Sequence, residues 1–96
     1  MAYSAGTGSH PQAVTVNDVN NDNIPDIIVG NNGGNSVGIF LNLGSGTFSS
    51  QTAYPTGSGS GPYSVSVMDV NSDNKPDIVV ANSGTDNIIV LFNSGS

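Results

Sequence analysis

Two stretches of this sequence carry residues spaced for chemistry: Asp18-Val-Asn-Asn-Asp-Asn-Ile-Pro-Asp26 and Asp69-Val-Asn-Ser-Asp-Asn-Lys-Pro-Asp77. Each has oxygen-bearing side chains at its first, third, fifth and ninth positions: Asp18, Asn20, Asp22 and Asp26, then Asp69, Asn71, Asp73 and Asp77. That spacing suits a hard cation. Calcium takes roughly six to eight oxygens in a flexible shell, and a loop that donates from alternate positions can wrap it. The seventh residue, Ile24 or Lys75, then needs to offer only its backbone carbonyl, so side chains as unlike as these can stand there. Asp26 and Asp77 would close the shell with both oxygens. Asn23 and Asn74 fall at the sharp bend, where asparagine tolerates a left-handed backbone. Magnesium fits less well, because it demands near-octahedral geometry and keeps its water. Asp- and Asn-rich segments also make plain turns. The in-register return of every oxygen bearer favours the metal reading. Carboxylates crowded into one short loop repel one another, so a bound cation should raise the melting temperature and a chelator lower it.

The rest of the chain must hold these loops. A shift of fifty-one residues lays Asp18 on Asp69, Pro11 on Pro62, Asn31 on Asn82 and Asn42 on Asn93, with about half of the aligned positions identical. The chain is a tandem duplication with a period near that of propeller blades. Residues 1–52 form one unit with an N-terminal strand fragment, and residues 53–96 the other. Within each unit, Ala13 to Val16 and Ser64 to Met68 alternate small and β-branched residues, the period of a strand. Ile27-Ile28-Val29 and Ile78-Val79-Val80 are short apolar runs expected of strands covered on both faces. Val37 to Leu41 and Ile88 to Phe92 make a third strand. The polar run Thr47 to Tyr54 reads as a fourth, and Gly57 to Gly61 as the crossing to the next unit. No window carries helical apolar spacing. The fold class predicted is all-β: two four-stranded antiparallel propeller blades. The second unit shows three strands, and Met1 to Gly6 matches part of a fourth. The expectation is a ring completed by homo-oligomerisation, with that segment completing a neighbour's blade.

Composition narrows the function classes. All seven carboxylates are Asp and six sit in the two loops, while Lys75 is the single Lys or Arg. Phosphate binding needs a basic surface, which argues against nucleic acid and against an anionic membrane. No run is long and apolar enough to span a bilayer, and the Met1 segment lacks the pattern of a signal peptide. An enzyme is not expected. Cysteine and glutamate are absent, no Gly-x-Ser-x-Gly elbow precedes a helix, and the one histidine, His10, falls on Gly61 and reads as a loop residue.

The opening Asp-x-Asn-x-Asp is similar to the start of an EF-hand loop, but no Glu stands at the twelfth position and the flanks read as strands. The wider pattern D-x-N-x-D-N-x-P-D-I-[IV]-V, at Asp18 to Val29 and Asp69 to Val80, resembles the FG-GAP/VCBS repeats, the blades of integrin-α-type propellers and of some fungal and bacterial lectins. Gly46-Thr47-Phe48, Ala53-Tyr54-Pro55 and Pro62-Tyr63-Ser64-Val65 support it. The Phe-Gly and Gly-Ala-Pro landmarks of the family name are not literally present. The resemblance implies one calcium ion on the outer edge of each blade, held by the oxygen positions named above, and an extracellular or cell-surface setting. Such propellers usually carry about seven blades. Paired units would close most simply as a trimer of six blades or a tetramer of eight, the trimer being preferred. The same resemblance offers an alternative role, carbohydrate binding between blades, for which Tyr63, Tyr54 and Asn32 are the candidate contacts.

Overall fold

A computed structural model of the chain describes residues 3–6, 8–20, 22–44, 47–72 and 75–92. Alternating β-branched residues set the strands, and polar, Gly- and Asn-rich turns end them. The first unit contributes β1 (Pro11–Asn17), β2 (Asp26–Asn31), β3 (Ser36–Phe40) and β4 (Thr52–Pro55), and the second β5 (Pro62–Met68), β6 (Asp77–Asn82) and β7 (Asn87–Leu91). They form two antiparallel sheets, ordered β1-β2-β3-β4 and β5-β6-β7. No helix occurs among the described residues.

The repeat is exact in register. Val14 pairs with Val29 and Val65 with Val80; Val16 pairs with Ile27 and Val67 with Ile78. Each first strand slips once, between Pro11 and Ala13 or between Pro62 and Ser64. The turn after each second strand needs left-handed backbone at one non-glycine residue, Asn35 (φ 52°) or Asp86 (φ 54°).

The fourth strand is shorter than the sequence suggests. Residues 47–51 lie outside any strand, and an isolated Asn42–Phe48 bridge joins that stretch to the sheet side. Long polar side chains occupy the space instead. Gln51 covers Gly38, where a Cβ would run into the Gln51 amide. Asn31 Nδ2 donates to Gln51 Oε1 at 2.9 Å, and Gln51 Nε2 donates to the Ala5 carbonyl at 3.0 Å.

The core lies between the sheets. Ile28, Val37 and Ile39 of the first meet Val65, Ile78 and Val80 of the second, with Val19 beneath the acidic loop. Each such aliphatic side chain, fully buried, contributes about 1.5–3 kcal/mol. We call the face of the first sheet in this contact its exit face, and the face of the second its entry face. Period-two alternation gives every sheet both faces. Tyr3 lies on the entry side of the first unit, its ring centroid 6.2 Å from Phe40 and 5.6 Å from Phe48.

Candidate metal centre

The first acidic loop joins β1 to β2, and its own carboxylates organise it. Asp18 Oδ1 accepts from the amides of Asn20 (3.2 Å) and Asp22 (3.3 Å), and its Oδ2 from Asn23 (2.8 Å). Asp22 Oδ1 accepts from the Ile24 amide at 3.0 Å. Asn23 takes the left-handed conformation, φ 65°, at the expected bend. These bonds fold the loop back on itself, so alternate side chains converge. Carboxylate oxygens of Asp18, Asp22 and Asp26 lie within 4.8 Å of one another, Asp22 exposed, Asp18 half-buried and Asp26 buried.

Asp26 is the anchor. It opens β2 and is 0% exposed. Its Oδ2 accepts from the Val19 amide at 3.0 Å and its Oδ1 from the Asn42 amide at 2.8 Å. Asn42 Nδ2 in turn donates to the Pro25 carbonyl at 3.0 Å. The sequence reading named Asp26 but missed Asn42. The available signal was its return in register as Asn93, which lies outside the described residues.

The second loop repeats the described part of this design. Asp77 is buried and accepts from the Val70 amide through Oδ2 at 3.1 Å, as Asp26 does from Val19. Asp69 Oδ1 accepts from the Asn71 amide at 3.3 Å, as Asp18 does from Asn20. Ser72, the repeat mate of position 21, takes left-handed backbone at φ 61°. Lys75 is half-buried. Asp73 and Asn74 lie outside the described residues.

Residues 18–80 match the model of the FG-GAP-like repeat. The chain belongs to that family. No curated protein and no solved structure matches it. The matched span opens on Asp18 and closes on Val80, so it takes in both FG-GAP-like loops, all of β2, and β6 as far as Val80.

The residues of the first FG-GAP-like loop fit a hard divalent cation. The donors are oxygens, their charge is concentrated, and each Asp26 oxygen takes one N–H and keeps a second lone pair. Asn20 is exposed, its backbone amide donating to Asp18, and Ile24 is half-buried at the loop's seventh position.

The three aromatic and amide candidates for a ligand do not converge. Tyr54 lines the cleft between the sheets with Ile39, Leu91 and Phe92. Tyr63 lines a separate hollow with Ser83, Asp86 and Ile88. Asn32 lies at the joint between the units, its Nδ2 donating to the Pro62 carbonyl at 3.4 Å.

Proposed function

We propose that this chain is a calcium-stiffened pair of propeller blades serving as a scaffold, and that copies of it join head to tail into a closed ring. One observation carries the reading: residues at equivalent repeat positions differ in exposure according to whether a neighbouring sheet covers them. On the entry face, Val65 is 9% exposed, while its mate Val14 is 67% exposed. On the exit face, Val37 is 0% exposed, while its mate Ile88 is 69% exposed. Val16, Val70, Val90 and Phe92 are exposed in the same pattern. Both exposed faces therefore have a covered counterpart inside the chain, and the two counterparts pack on each other.

A contact between unlike faces generates a ring when its rotation closes. A trimer would present six blades and a tetramer eight, within the usual range of propellers; the trimer is our preferred form. The segment from Tyr3 supports the same arrangement. Tyr3 packs on Phe40 as Tyr54 borders Leu91, the repeat mate of Phe40. It thus stands where the last strand of a preceding blade would stand, available to pair with the β7 edge of another copy.

Calcium would be held by Asp18, Asn20, Asp22 and Asp26 with the Ile24 carbonyl, and by Asp69, Asn71, Asp73 and Asp77 with the Lys75 carbonyl. Its contribution would be to neutralise the clustered charge and pin each loop across the outer ends of its strands. The role is structural rather than catalytic. Carbohydrate binding has less support, since Tyr54, Tyr63 and Asn32 occupy separate places.

Mass measurement under native conditions, with calcium and with chelator, tests the reading. The expected result is a closed oligomer carrying one ion per blade. A folded single copy at micromolar concentration in calcium would overturn the assembly.

A further inference from the structure

Beside the apolar core, side-chain hydrogen bonds join the two units. The Gly61 amide donates to Asn35 Oδ1 at 3.0 Å, and Asn32 Nδ2 donates to the Pro62 carbonyl at 3.4 Å. Pro62 is fully buried, its Cβ 3.9 Å from where a Cβ on Gly30 would stand. A Cβ on Gly61 would lie 3.4 Å from Asn32 Nδ2. A side chain at that position would grow into the Asn32 amide.

Both halves of this joint recur on the open faces. His10-Pro11 stands in the register of Gly61-Pro62, and His10 keeps the left-handed backbone, φ 46° against 52°. The surrounding backbone bonds agree as well. The His10 carbonyl accepts from Asn32 at 3.1 Å and the Gly61 carbonyl from Ser83 at 3.2 Å. On the opposite face Ala81, Ser83 and Asp86 stand in the register of Gly30, Asn32 and Asn35. They line a shallow hollow of about 430 Å³ with Tyr63, Asn87 and Ile88.

We infer that His10-Pro11 of one copy docks on Ala81, Ser83 and Asp86 of a second copy, in the register of the internal joint, with His10 facing Asp86. The inference rests on the head-to-tail reading above and specifies its interface. The differences between the open joint and the closed one compensate. His10 brings bulk where the internal joint has Gly61, and Ser83 leaves room where that joint has the larger Asn32. Asp86 brings a carboxylate where that joint has the neutral Asn35, whose Oδ1 bonds the backbone amide of the residue that carries the imidazole in the open joint. A methyl at the Gly30 position meets Pro62 Cβ at an ordinary 3.9 Å, so Ala81 is accommodated too.

The open joint is therefore charge-assisted, whereas the internal joint is neutral. Histidine is the side-chain type whose charge changes between about pH 5 and pH 8, and an imidazole pairs with a carboxylate as an ion only when it is protonated. Tyr63 is the other titratable side chain lining the Asp86 hollow. On its own chain the His10 ring lies against Gly33. Assembly is accordingly tighter at pH 6 than at pH 8.

The test is sedimentation of the intact chain in saturating calcium at both pH values, for wild type, His10→Gly, Asp86→Asn, and the triple variant His10→Gly/Ser83→Asn/Asp86→Asn. Wild type should assemble roughly fivefold more tightly per joint at pH 6, the scale of one exposed charge pair. Each single variant should lose that difference. The triple variant rebuilds the internal joint on the open face and should assemble equally at both pH values. A pH dependence equal in wild type and triple variant would overturn the His10–Asp86 joint and leave head-to-tail assembly standing. Single copies at both pH values would overturn the two together.

Discussion

The Asp26 carboxylate and the Asn42 backbone amide are joined by a 2.8 Å hydrogen bond that ties the first acidic loop to the chain leaving β3. The other Asp26 oxygen holds the Val19 amide at 3.0 Å. One fully buried carboxylate thus fixes both sides of the loop before any ion is considered. Asp26→Ala removes the acceptor from two backbone donors. Each donor left unsatisfied costs about 1–3 kcal/mol. The variant should lose at least about 2 kcal/mol in urea denaturation even with chelator present. Asp26→Asn keeps one acceptor oxygen and should lose less. Equal stability of Asp26→Ala and wild type in chelator would show that the carboxylate has no anchoring role.

Asp22 separates the ion from the scaffold. It is exposed, and its carboxylate bonds the Ile24 amide inside its own loop. Asp22→Ala should change stability in chelator by little more than one exposed hydrogen bond, about 1 kcal/mol. In calcium the difference should widen. Saturation at ~100 times the dissociation constant stabilises by about 2.7 kcal/mol per site when only the folded state binds. Thermal melts of both proteins, with calcium and with chelator, check this. An equal calcium shift in wild type and variant would remove Asp22 from the ligand set.

Much of this was legible in the residues, for identifiable reasons. Period-two runs such as Val14 to Val16 marked strands because a sheet face imposes that period on the chain. Asn23 marked the bend because few other residues accept its backbone. What stayed hidden depends on partners far along the chain. Thr47 to Ser50 carries no pattern that separates strand from loop, and the chain there is irregular. Gln51 gives no local sign that it will fill the space above Gly38. Val14 and Val65 are the same residue in the same motif. Their different burial comes from which neighbour is present, and no local sequence signal encodes it.

Gly84 tests how closely the crossing segment lies on the second unit. Its amide donates to the Ser60 carbonyl at 2.8 Å, and a Cβ on it would strike the Gly59 carbonyl oxygen. The obstruction is backbone, so no rotamer change relieves it. Gly84→Ala should cost about 1–3 kcal/mol, the range for overpacking a fitted site. In a domain of this size each kcal/mol lowers the melting temperature by roughly 4–8 °C. A melting temperature unchanged by Gly84→Ala would mean that the Gly57–Gly61 crossing does not rest on this turn.

One substitution placed at two equivalent positions distinguishes a covered face from an open one. Val65 is packed between the sheets with Ile28 and Val80, while Val14 is open. Val65→Asp puts a carboxylate into an apolar contact with no partner of opposite charge, which costs several kcal/mol or unfolds the chain. Val14→Asp changes a surface residue of the single copy, where most substitutions stay within about 0.5 kcal/mol. In the proposed ring the same position would be covered by the exit face of the next copy, near Ile88 and Val79, and the cost would return as lost assembly. Val14→Asp should therefore sediment as a folded single copy with the circular dichroism of a β protein, and Val65→Asp should lose that spectrum. A ring that still forms with Val14→Asp would place the contact between copies elsewhere on the surface.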